Sequence, residues 1–263
     1  MRMIKSNLDR AVDVIELLAA ETDGLRLSAI AQQLALPKSA VHRLLAPLCA
    51  RGWAEQDQLS GRYRLSLRLA ILGHRLLYAT RLPDICQPVL DQLARDSREF
   101  VRLTLVQDES LVWIASAQGA PPGLMYQPAT TGPVVLHATA NGKAWLATLP
   151  EPDALRILRS RGLAAMGPRT LGTLDAVAEE LRVTRSRGWG LVEEEAEPGV
   201  VALAVAIVAP AAALGTVSIG GPLVRMTRER YEPLAALLRD AAAELARRWP
   251  LAHAPQLARI SHG

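Results

Sequence analysis

Cysteine, lysine and long apolar runs are all scarce in this sequence. Among its 263 residues the cysteines are Cys49 and Cys86, which give neither a zinc-binding spacing nor a disulfide framework. No apolar run reaches the roughly 18 to 20 residues of a membrane helix, and VVALAVAIV fits a buried strand. The N-terminus lacks the cleavage site of a secretory signal. These absences predict a cytoplasmic protein with no membrane segment, no metal site and no cofactor.

The charge of the chain is unevenly distributed. Hydrophobic residues make up 50% of it, so a substantial core is expected, and the length suits two domains. Residues 1–81 hold 12 Lys+Arg against 7 Asp+Glu, whereas residues 82–263 hold 18 against 19. A basic segment joined to a neutral one is typical of a nucleic-acid module attached to another domain, although scatter in composition produces the same difference.

The first part of the chain has the pattern of three short helices and a β-hairpin. SNLDRAVDVIELLAAETDG and LSAIAQQLAL carry apolar residues at helical spacing, with Ser28 a candidate cap for the second. Pro37 begins a third helix, KSAVHRLLAPLCARG, in which Pro47 predicts a bend or an early end because proline cannot donate the helical hydrogen bond. Trp53 then opens a hairpin with a basic return strand. Together these elements predict a winged helix-turn-helix in residues 1–67.

The start of the third helix carries side chains suited to DNA. In a winged helix-turn-helix this helix enters the major groove, and its first residues contact the bases. Basic residues on the wing suit the phosphate backbone or the minor groove. The candidate DNA-binding residues are Lys38, Ser39, Ala40, His42 and Arg43 on the helix and Arg62 and Arg64 on the wing. The alternative for each is a solvated surface that binds nothing.

The remaining sequence predicts an α+β domain that follows a linker helix. Residues 68–82 are largely helical in pattern, and DICQPVLDQLARDSR is a further amphipathic helix. FVRLTLV and LVWIASA alternate as neighbouring strands, and three helical segments separate them from the strands VVALAVAIV and GTVSIGGP and a final helix. Helices that bracket a group of strands are typical of this fold class. We therefore expect a linker at residues 68–82 and a second domain at residues 83–263.

Several of these segments resemble one family over nearly the whole chain. LDRAVDVIELLA, LSAIAQQLALPKSAVHRLLAPLCARGW and GRYRLSLRLAILG are similar to the N-terminal half of the IclR-type (isocitrate lyase regulator) transcription factors. HATANGKAWLA, RSRGWGLVEEEAEPGVVALAVAI and VSIGGP are similar to landmarks of their C-terminal half. The resemblance implies a GAF-like effector-binding domain, and dimers or dimers of dimers on a pseudo-palindromic operator. It also implies repression or activation of catabolic operons under the control of a small organic acid.

The chain departs from that family at positions that bear on its ligands. Ala40 and Pro47 stand where threonine is common, which affects the preferred bases. Val192 and Ala202 stand where several members have an acid and a cysteine, and Gly220 where a serine can occur. A less polar pocket follows, and with it an aromatic or otherwise partly apolar carboxylate rather than a two-carbon acid.

The motif HATANGKA offers hydrogen-bond donors to an anionic ligand. Thr139 or His137 can cap the helix that follows, and the N–H groups of Ala140 and Asn141 then point toward the anion, with the Asn141 amide beside them. The alternative is an ordinary capped helix with Lys143 in solvent. The resemblance to the family favours the ligand-binding interpretation.

Residues on strands and one loop complete the candidate effector site. Arg102 interrupts FVRLTLV and could clamp a carboxylate with two hydrogen bonds, unless that strand lies at a sheet edge with Arg102 in water. Ser218 could donate a hydrogen bond from the sheet. The family resemblance adds the following positions: Met125, Tyr126, Val192, Ala202 and Gly220. The first two lie in a loop over the pocket and suit a ring, unless they pack as core.

Acidic and nucleophilic residues give little support for a metal or for catalysis. The run EEEAEPG is most simply solvated surface, with Glu194 at the pocket rim, because no histidine is spaced beside it. His137 with Lys143, or Ser218 with a distant acid, lacks any nucleophile elbow, phosphate loop or metal motif. The sequence therefore predicts a ligand-responsive DNA-binding regulator and not an enzyme. The alternative is a metabolite-binding sensor or enzyme whose first domain makes protein contacts.

Overall fold

Two compact units, Met1–Ala79 and Thr80–Gly263, make up the chain. A computed structural model describes residues 6–21, 23–128, 134–210 and 212–249. The division falls close to residue 82, where the sequence predicts the end of the linker, while the predicted outer bounds at residues 1 and 263 lie outside the described ranges. Within those ranges, no helix is both long and apolar enough to span a membrane.

The first unit combines short helices with a small sheet. Its first elements are α1 (Asn7–Ala20), β1 (Leu25–Arg26), α2 (Leu27–Gln33), α3 (Lys38–Ala50), β2 (Ala54–Gln56) and β3 (Arg62–Leu65). Strand β3 pairs antiparallel with both β1 and β2, so the predicted hairpin is the wing of a winged helix-turn-helix. The buried core consists of Val14, Leu18, Ile30, Ala31, Val41, Leu45 and Tyr63. The two-residue strand β1 is an addition to the predicted elements.

Capping explains where α1 begins but not where α2 begins. Ser6 and Asp9 form a reciprocal capping box, in which the Ser6 hydroxyl accepts from the Asp9 N–H at 3.1 Å and the Asp9 carboxylate accepts from the Ser6 N–H at 2.8 Å. Helix α2 starts at Leu27, one residue before Ser28, and has no side-chain cap. The predicted capping role of Ser28 is therefore wrong.

Two prolines shape α3. The helix begins directly after Pro37 and continues through Pro47 to Ala50, so the early end predicted at Pro47 is wrong. Pro47 is exposed and costs the helix one hydrogen bond, the one that an N–H at this position would donate to the Arg43 carbonyl. The N–H of Arg51 still donates to the Pro47 carbonyl at 3.1 Å, which closes the last turn.

Helix α4 (Arg68–Ala79) occupies the predicted linker. None of its residues is buried. The exposed large apolar side chains on or next to it are Leu67, Ile71, Leu72, Leu76 and Tyr78. A helix with so much apolar surface in water is typical of an interface.

The second unit is an antiparallel sheet covered by helices on both faces. Its elements are α5 (Leu82–Ser97), β4 (Phe100–Gln107), β5 (Ser110–Gln118), α6 (Ala140–Leu146), α7 (Glu151–Arg161), α8 (Leu174–Arg187), β6 (Gly190–Glu193), β7 (Val200–Val208), β8 (Ala213–Pro222), a 3₁₀ turn (Arg228–Arg230) and α9 (Tyr231–Arg248). The strands pair in the order β5-β4-β8-β7-β6. Helices α5 and α9 cover one face, and α6 with α7 and α8 lies toward the other. This is the α+β fold that the sequence predicts.

Strand register brings the predicted site residues of the second unit into neighbouring rows. Arg102 on β4 is paired with Ser218 on β8, while Gly220 on the same strand is paired with Ala202 on β7. Ala202 in turn is paired with Val192 on β6. Because β4 lies between β5 and β8, the alternative that Arg102 sits on an edge strand is wrong.

Candidate functional site

The start of α3 presents its charged side chains to solvent. Lys38, His42 and Arg43 are exposed, whereas Val41 and Leu45 on the opposite side of the helix are buried in the core of the first unit. Ser39 is exposed and Ala40 is half-buried. The helix therefore has an apolar underside that orients its basic side outward, as a major-groove helix requires.

The two wing arginines are exposed and already bonded to the first unit. Arg62 donates from Nη1 to the Gly24 carbonyl at 2.8 Å, and Arg64 donates from Nε to the Glu55 carboxylate at 2.7 Å across the wing. Such exposed contacts are weak enough to exchange for phosphate contacts. The structure thus leaves the predicted DNA-binding role of both arginines open to test.

A cavity of about 400 Å³ lies in the second unit between the sheet and α6. The predicted residues that line it are Arg102, Tyr126, Ala140, Asn141, Val192, Ala202, Ser218 and Gly220. Met125 does not line it, and its side chain is 48% exposed. The lining residues that the sequence analysis missed as ligand contacts are Phe100, Trp113, Val134, Val135, Thr139, Met166, Ala196, Glu197, Pro198 and Val200. The volume suits a small organic ligand.

Arg102 is the cation of this cavity. Its guanidinium carbon lies 3.5 Å from the centre of the Trp113 ring, a stacked cation–π arrangement. Burial lowers the pKa of Arg102, and the charge of Glu197 opposes that shift. Its guanidinium forms no ion pair or hydrogen bond with any residue that the structure describes. A half-buried guanidinium that forms no ion pair has its hydrogen-bond donors available to an anion.

A polar chain joins α6 to the sheet beneath the cavity. Asn141 donates from Nδ2 to Thr216 Oγ1 at 2.8 Å, and the hydroxyls of Thr216 and Thr104 are hydrogen-bonded at 2.6 Å. The Thr139 hydroxyl caps α6 by accepting from the Gly142 N–H at 3.1 Å. Of the two predicted caps, the structure therefore selects Thr139. These bonds hold the Asn141 amide in one orientation at the cavity wall.

Tyr126 closes one side of the cavity. Its ring packs edge-on against Phe100 with centroids 6.0 Å apart, and its hydroxyl donates to Glu197 Oε1 at 3.2 Å. Burial raises the pKa of Tyr126, so it stays protonated and able to donate. A Cβ atom at Gly220 would lie 3.2 Å from the Tyr126 ring. Because residue 220 has no side chain, the Tyr126 ring can pack directly over the sheet.

A buried carboxylate anchors the loop that carries Tyr126. Glu99, 1% exposed, binds Arg225 through two hydrogen bonds of 2.6 and 2.9 Å and Arg230 through one of 3.2 Å. Arg225 also donates to the Leu124 carbonyl, two residues before Tyr126. On the opposite side of β8 from the cavity, a Cβ atom at Gly221 would come within 2.5 Å of the Glu99 carboxylate. The ion-pair cluster therefore fixes the loop from outside the cavity.

Lys143 is buried rather than solvated, which corrects the alternative considered for HATANGKA. Its ammonium donates to Glu195 Oε1 at 2.5 Å and to the Leu191 carbonyl at 3.2 Å. Burial raises the pKa of Glu195 while the Lys143 charge opposes the shift, and Oε2 of Glu195 has no partner among the described residues. The acidic run is thus partly internal, and no cluster of three or more metal-ligand side chains occurs in the described ranges.

Strand alternation could have identified one more residue of the cavity from the sequence. Trp113 is paired with Thr104 across β4 and β5, so strand alternation places it on the same face as Arg102. Glu197 lies in EEEAEPG, but the sequence does not show which acid of this run faces the cavity. Glu195 binds Lys143 and Glu197 binds Tyr126 only because of the way the loop folds. Val134 and Met166 come from loops and carry no such signal.

Comparison with known proteins identifies the family. The model described as "Bacterial transcriptional regulator IclR C-terminal" matches residues 74–247, and "IclR helix-turn-helix domain" matches residues 7–58. The chain is 32% identical over 240 residues to the HTH-type transcriptional regulator BhcR of Paracoccus denitrificans, covering 90% of this chain and 85% of that one. It is 31% identical over 244 residues to the transcriptional repressor IclR of Escherichia coli, covering 91% and 88%.

Solved structures show the same fold. An IclR family transcriptional regulator from Brucella abortus superposes with a TM-score of 0.77 at 25% identity, over 95% of this chain and 94% of that one. An IclR homologue from Microbacterium hydrocarbonoxydans, complexed with 4-hydroxybenzoate, gives 0.73 at 24% identity, over 93% and 99%. The sequence relatives BhcR and IclR are named as a regulator and a repressor, which answers the enzyme alternative. The chain therefore belongs to the IclR family of DNA-binding transcriptional regulators.

Proposed function

We propose that this regulator is switched by a small organic carboxylate that binds in the cavity of the second unit. The observation that carries the proposal is Arg102, a half-buried guanidinium stacked on Trp113 that forms no ion pair with any described residue. A ligand carboxylate supplies an ion-pair partner and accepts two hydrogen bonds from one guanidinium edge. Ligand binding then favours one arrangement of the protein over another, which changes its affinity for DNA.

The walls of the cavity favour an aromatic or otherwise partly apolar acid. Phe100, Trp113 and Tyr126 contribute ring surface, and Val192 and Ala202 form an apolar side. A two-carbon acid would leave much of this surface without a contact. The IclR homologue of the same fold that was solved with 4-hydroxybenzoate shows that an aromatic acid binds to a protein of this fold.

The DNA contacts are proposed to come from α3 and the wing. Lys38, Ser39, Ala40, His42 and Arg43 would face the major groove, while Arg62 and Arg64 would contact backbone or minor groove. Regulation of a catabolic operon, through a pseudo-palindromic operator in the cytoplasm, is the corresponding biological role. The exposure of the charged members of this set is what supports the assignment.

A homodimer, or a dimer of dimers, is proposed to hold two DNA-binding units together. The apolar surface of α4, including Ile71, Leu72 and Leu76, supports self-association because it is exposed in the single chain. Two-fold symmetric proteins match two-fold symmetric operators. The GAF-like second unit would then transmit the effect of ligand binding to the two DNA-binding units.

The test is a ligand screen on the full chain. Benzoate, 4-hydroxybenzoate and pyruvate are added separately, and the melting temperature of the protein is measured with each. Calorimetric titration then gives the affinity of any ligand that raises the melting temperature. We expect the aromatic acids to bind and Arg102→Gln to weaken their binding by roughly tenfold or more. Arg159→Gln, a change of an exposed α7 arginine, is the matched control. Stabilisation by pyruvate alone, or unchanged binding to Arg102→Gln, would contradict the proposal.

A further inference from the structure

Two side chains of opposite charge line the cavity without pairing with each other. Arg102 projects from β4, and Glu197 lies in the segment between β6 and β7. In the part of the chain that the structure describes, neither forms an ion pair. Both line the same cavity, where burial lowers the pKa of Arg102 and the Glu197 charge opposes that shift. A cavity with a separated cation and anion is complementary to a ligand with two different ends.

We infer that the ligand is bifunctional, a carboxylate that also carries a hydrogen-bond donor, with Arg102 binding the carboxylate and Glu197 binding the donor. The donor is a hydroxyl or a protonated amine, which share the ability to donate to a carboxylate. This inference rests on the proposed function, because it assigns the second end of the same ligand. It makes Glu197 the residue that selects among carboxylates of similar size.

The charge of Glu197 is what makes a plain carboxylate a poor ligand. A second anion in the same partly desolvated space is repelled, since the effective dielectric is far below that of water. The Tyr126 hydroxyl occupies only Oε1 of Glu197, at 3.2 Å. Oε2 has no donor among the described residues, so it can accept one from a ligand. A donor on the ligand turns the repulsion into a charge-assisted hydrogen bond.

The other polar groups of the cavity do not remove the need for a hydrogen-bond donor on the ligand. Asn141 gives one proton of Nδ2 to Thr216, which leaves its second N–H as a donor and its Oδ1 as an acceptor. The Thr139 hydroxyl donates to the Val135 carbonyl at 2.8 Å. Of the lining residues that the structure describes, Arg102 is the only cation. The cavity therefore has one cationic end, at Arg102, and acceptors elsewhere that include Glu197 and Asn141 Oδ1 and that a ligand donor can satisfy.

The aromatic walls of the cavity suit a flat ring. Trp113 lies against the Arg102 guanidinium, and Phe100 with Tyr126 forms an edge-on aromatic pair nearer to Glu197. A six-membered ring with substituents at opposite ends would contact these walls and reach both charges. Benzoate with a para substituent is the simplest probe of that shape.

The test is a calorimetric titration of the full chain with benzoate, 4-hydroxybenzoate and 4-(aminomethyl)benzoate. We expect at least one substituted acid to bind roughly tenfold tighter than benzoate. In Glu197→Gln that preference should vanish and benzoate itself should bind more tightly than to the unaltered protein, because the repulsion is gone. A larger preference for the amine identifies an ammonium end, and a larger preference for the hydroxyl identifies a neutral donor; either supports the inference.

Two variants separate this role from others. Tyr126→Phe removes the hydrogen bond to Glu197 but keeps the Glu197 charge, so the preference for the substituted acids should remain. If Tyr126→Phe abolishes that preference, the position of the loop is responsible and the inference is overturned. If Glu197→Gln leaves the preference unchanged while Arg102→Gln weakens every acid, the inference fails and the proposed function stands. If none of the acids binds, or Arg102→Gln binds them normally, both fail together.

Discussion

Lys143 is a charged side chain held entirely inside the second unit. Its nearest anion among the described residues is Glu195, and both side chains are almost inaccessible to water, while the more exposed Glu180 lies 4.0 Å away. In Lys143→Met the Glu195 carboxylate stays buried without its cation, which should lower the free energy of unfolding by about 3 to 5 kcal/mol. Urea denaturation measures this decrease.

The matched control for Lys143 removes the whole ion pair. The double variant Lys143→Met with Glu195→Met leaves no uncompensated charge, so it should be considerably more stable than the single variant. Equal stabilities for the two variants would show that packing around Lys143, and not its charge, matters.

His137 gives the second unit a dependence on pH. Burial, with a contribution from the Lys143 charge, lowers the pKa of His137, and its Nε2–H donates to the Ala164 carbonyl at 3.0 Å. The unfolded chain accepts a proton below the ordinary value of 6.5 while the folded chain resists it. The free energy of unfolding should therefore fall as the pH drops through and below that value, and be fully present above it.

The variant His137→Gln should show a flatter pH profile. It lacks the titrating group, so its stability, though lower at neutral pH, should change less between about pH 7 and about pH 5 than that of the unaltered protein. Thermal denaturation across that range measures both profiles. Parallel profiles would assign the pH dependence to other groups.

At the scale of a helix, α3 tolerates Pro47 at a cost. Proline removes the N–H that would bond to the Arg43 carbonyl, and its ring crowds that carbonyl. Because Pro47 is exposed, Pro47→Ala creates no cavity and should stabilise the first unit by about 1 kcal/mol or more. Calorimetry and slower amide hydrogen exchange in residues 44–51 measure the gain.

Pro37→Ala is the control for this prediction. Pro37 is the N-cap residue, where proline interrupts no helical hydrogen bond, so its replacement should give no gain. Similar stabilisation by both changes would mean that the gain does not come from the helical bond.

Helices and strands of this chain follow from short-range pattern more closely than the cavity does. The periodicity of α1, α3 and α9 and the alternation of β4 and β7 reflect one buried face each, which a sequence shows directly. The persistence of α3 past Pro47 does not, because packing of the buried Leu45 and its neighbours offsets a local preference.

The predicted site residues that lie on strands line the cavity, whereas loop residues follow less directly from the sequence. Arg102 and Ser218 follow from alternation, and the structure brings both to the cavity. Met125 and Tyr126 are neighbours in the same loop, yet only Tyr126 lines it, because the direction of a loop side chain depends on anchors such as Arg225 that are distant in sequence. The burial of Lys143 depends in the same way on a partner far along the chain.

At the scale of the whole molecule, binding to DNA should be strongly dependent on salt. Each basic side chain that neutralises a phosphate releases counterions and steepens the salt dependence by about 0.9 in the logarithmic slope. Lys38→Ala and Arg43→Ala should therefore weaken binding to the promoter beside the gene that encodes this protein. Where the replaced side chain binds a phosphate, the slope should also become shallower, as measured by titration at several salt concentrations.

Arg159→Ala, in the second unit, is the control for these two variants and should bind DNA normally. Undiminished binding by Lys38→Ala and Arg43→Ala, with little response to salt, would remove α3 from the interface.

Self-association should depend on the apolar side of α4. Leu72→Asp with Leu76→Asp puts charges on that surface and should shift the protein toward monomers in sedimentation experiments, with a smaller advantage of a two-fold operator over a half-site. Leu59→Asp, at a wing leucine that is 99% exposed, makes the same chemical change elsewhere and should leave the assembly intact. Monomers in the unaltered protein would contradict this prediction.

Adjacent glycines on β8 give the two faces of the sheet different tolerance to mutation. A side chain at residue 220 would have its Cβ 3.2 Å from the Tyr126 ring, so a small shift of that ring would accommodate it, and substitution there can alter which ligands are accepted while the fold survives. A side chain at residue 221 would strike the Glu99 carboxylate, which two arginines hold in place. New ligand preferences can therefore evolve through the first position, whereas the second is closed to almost any change.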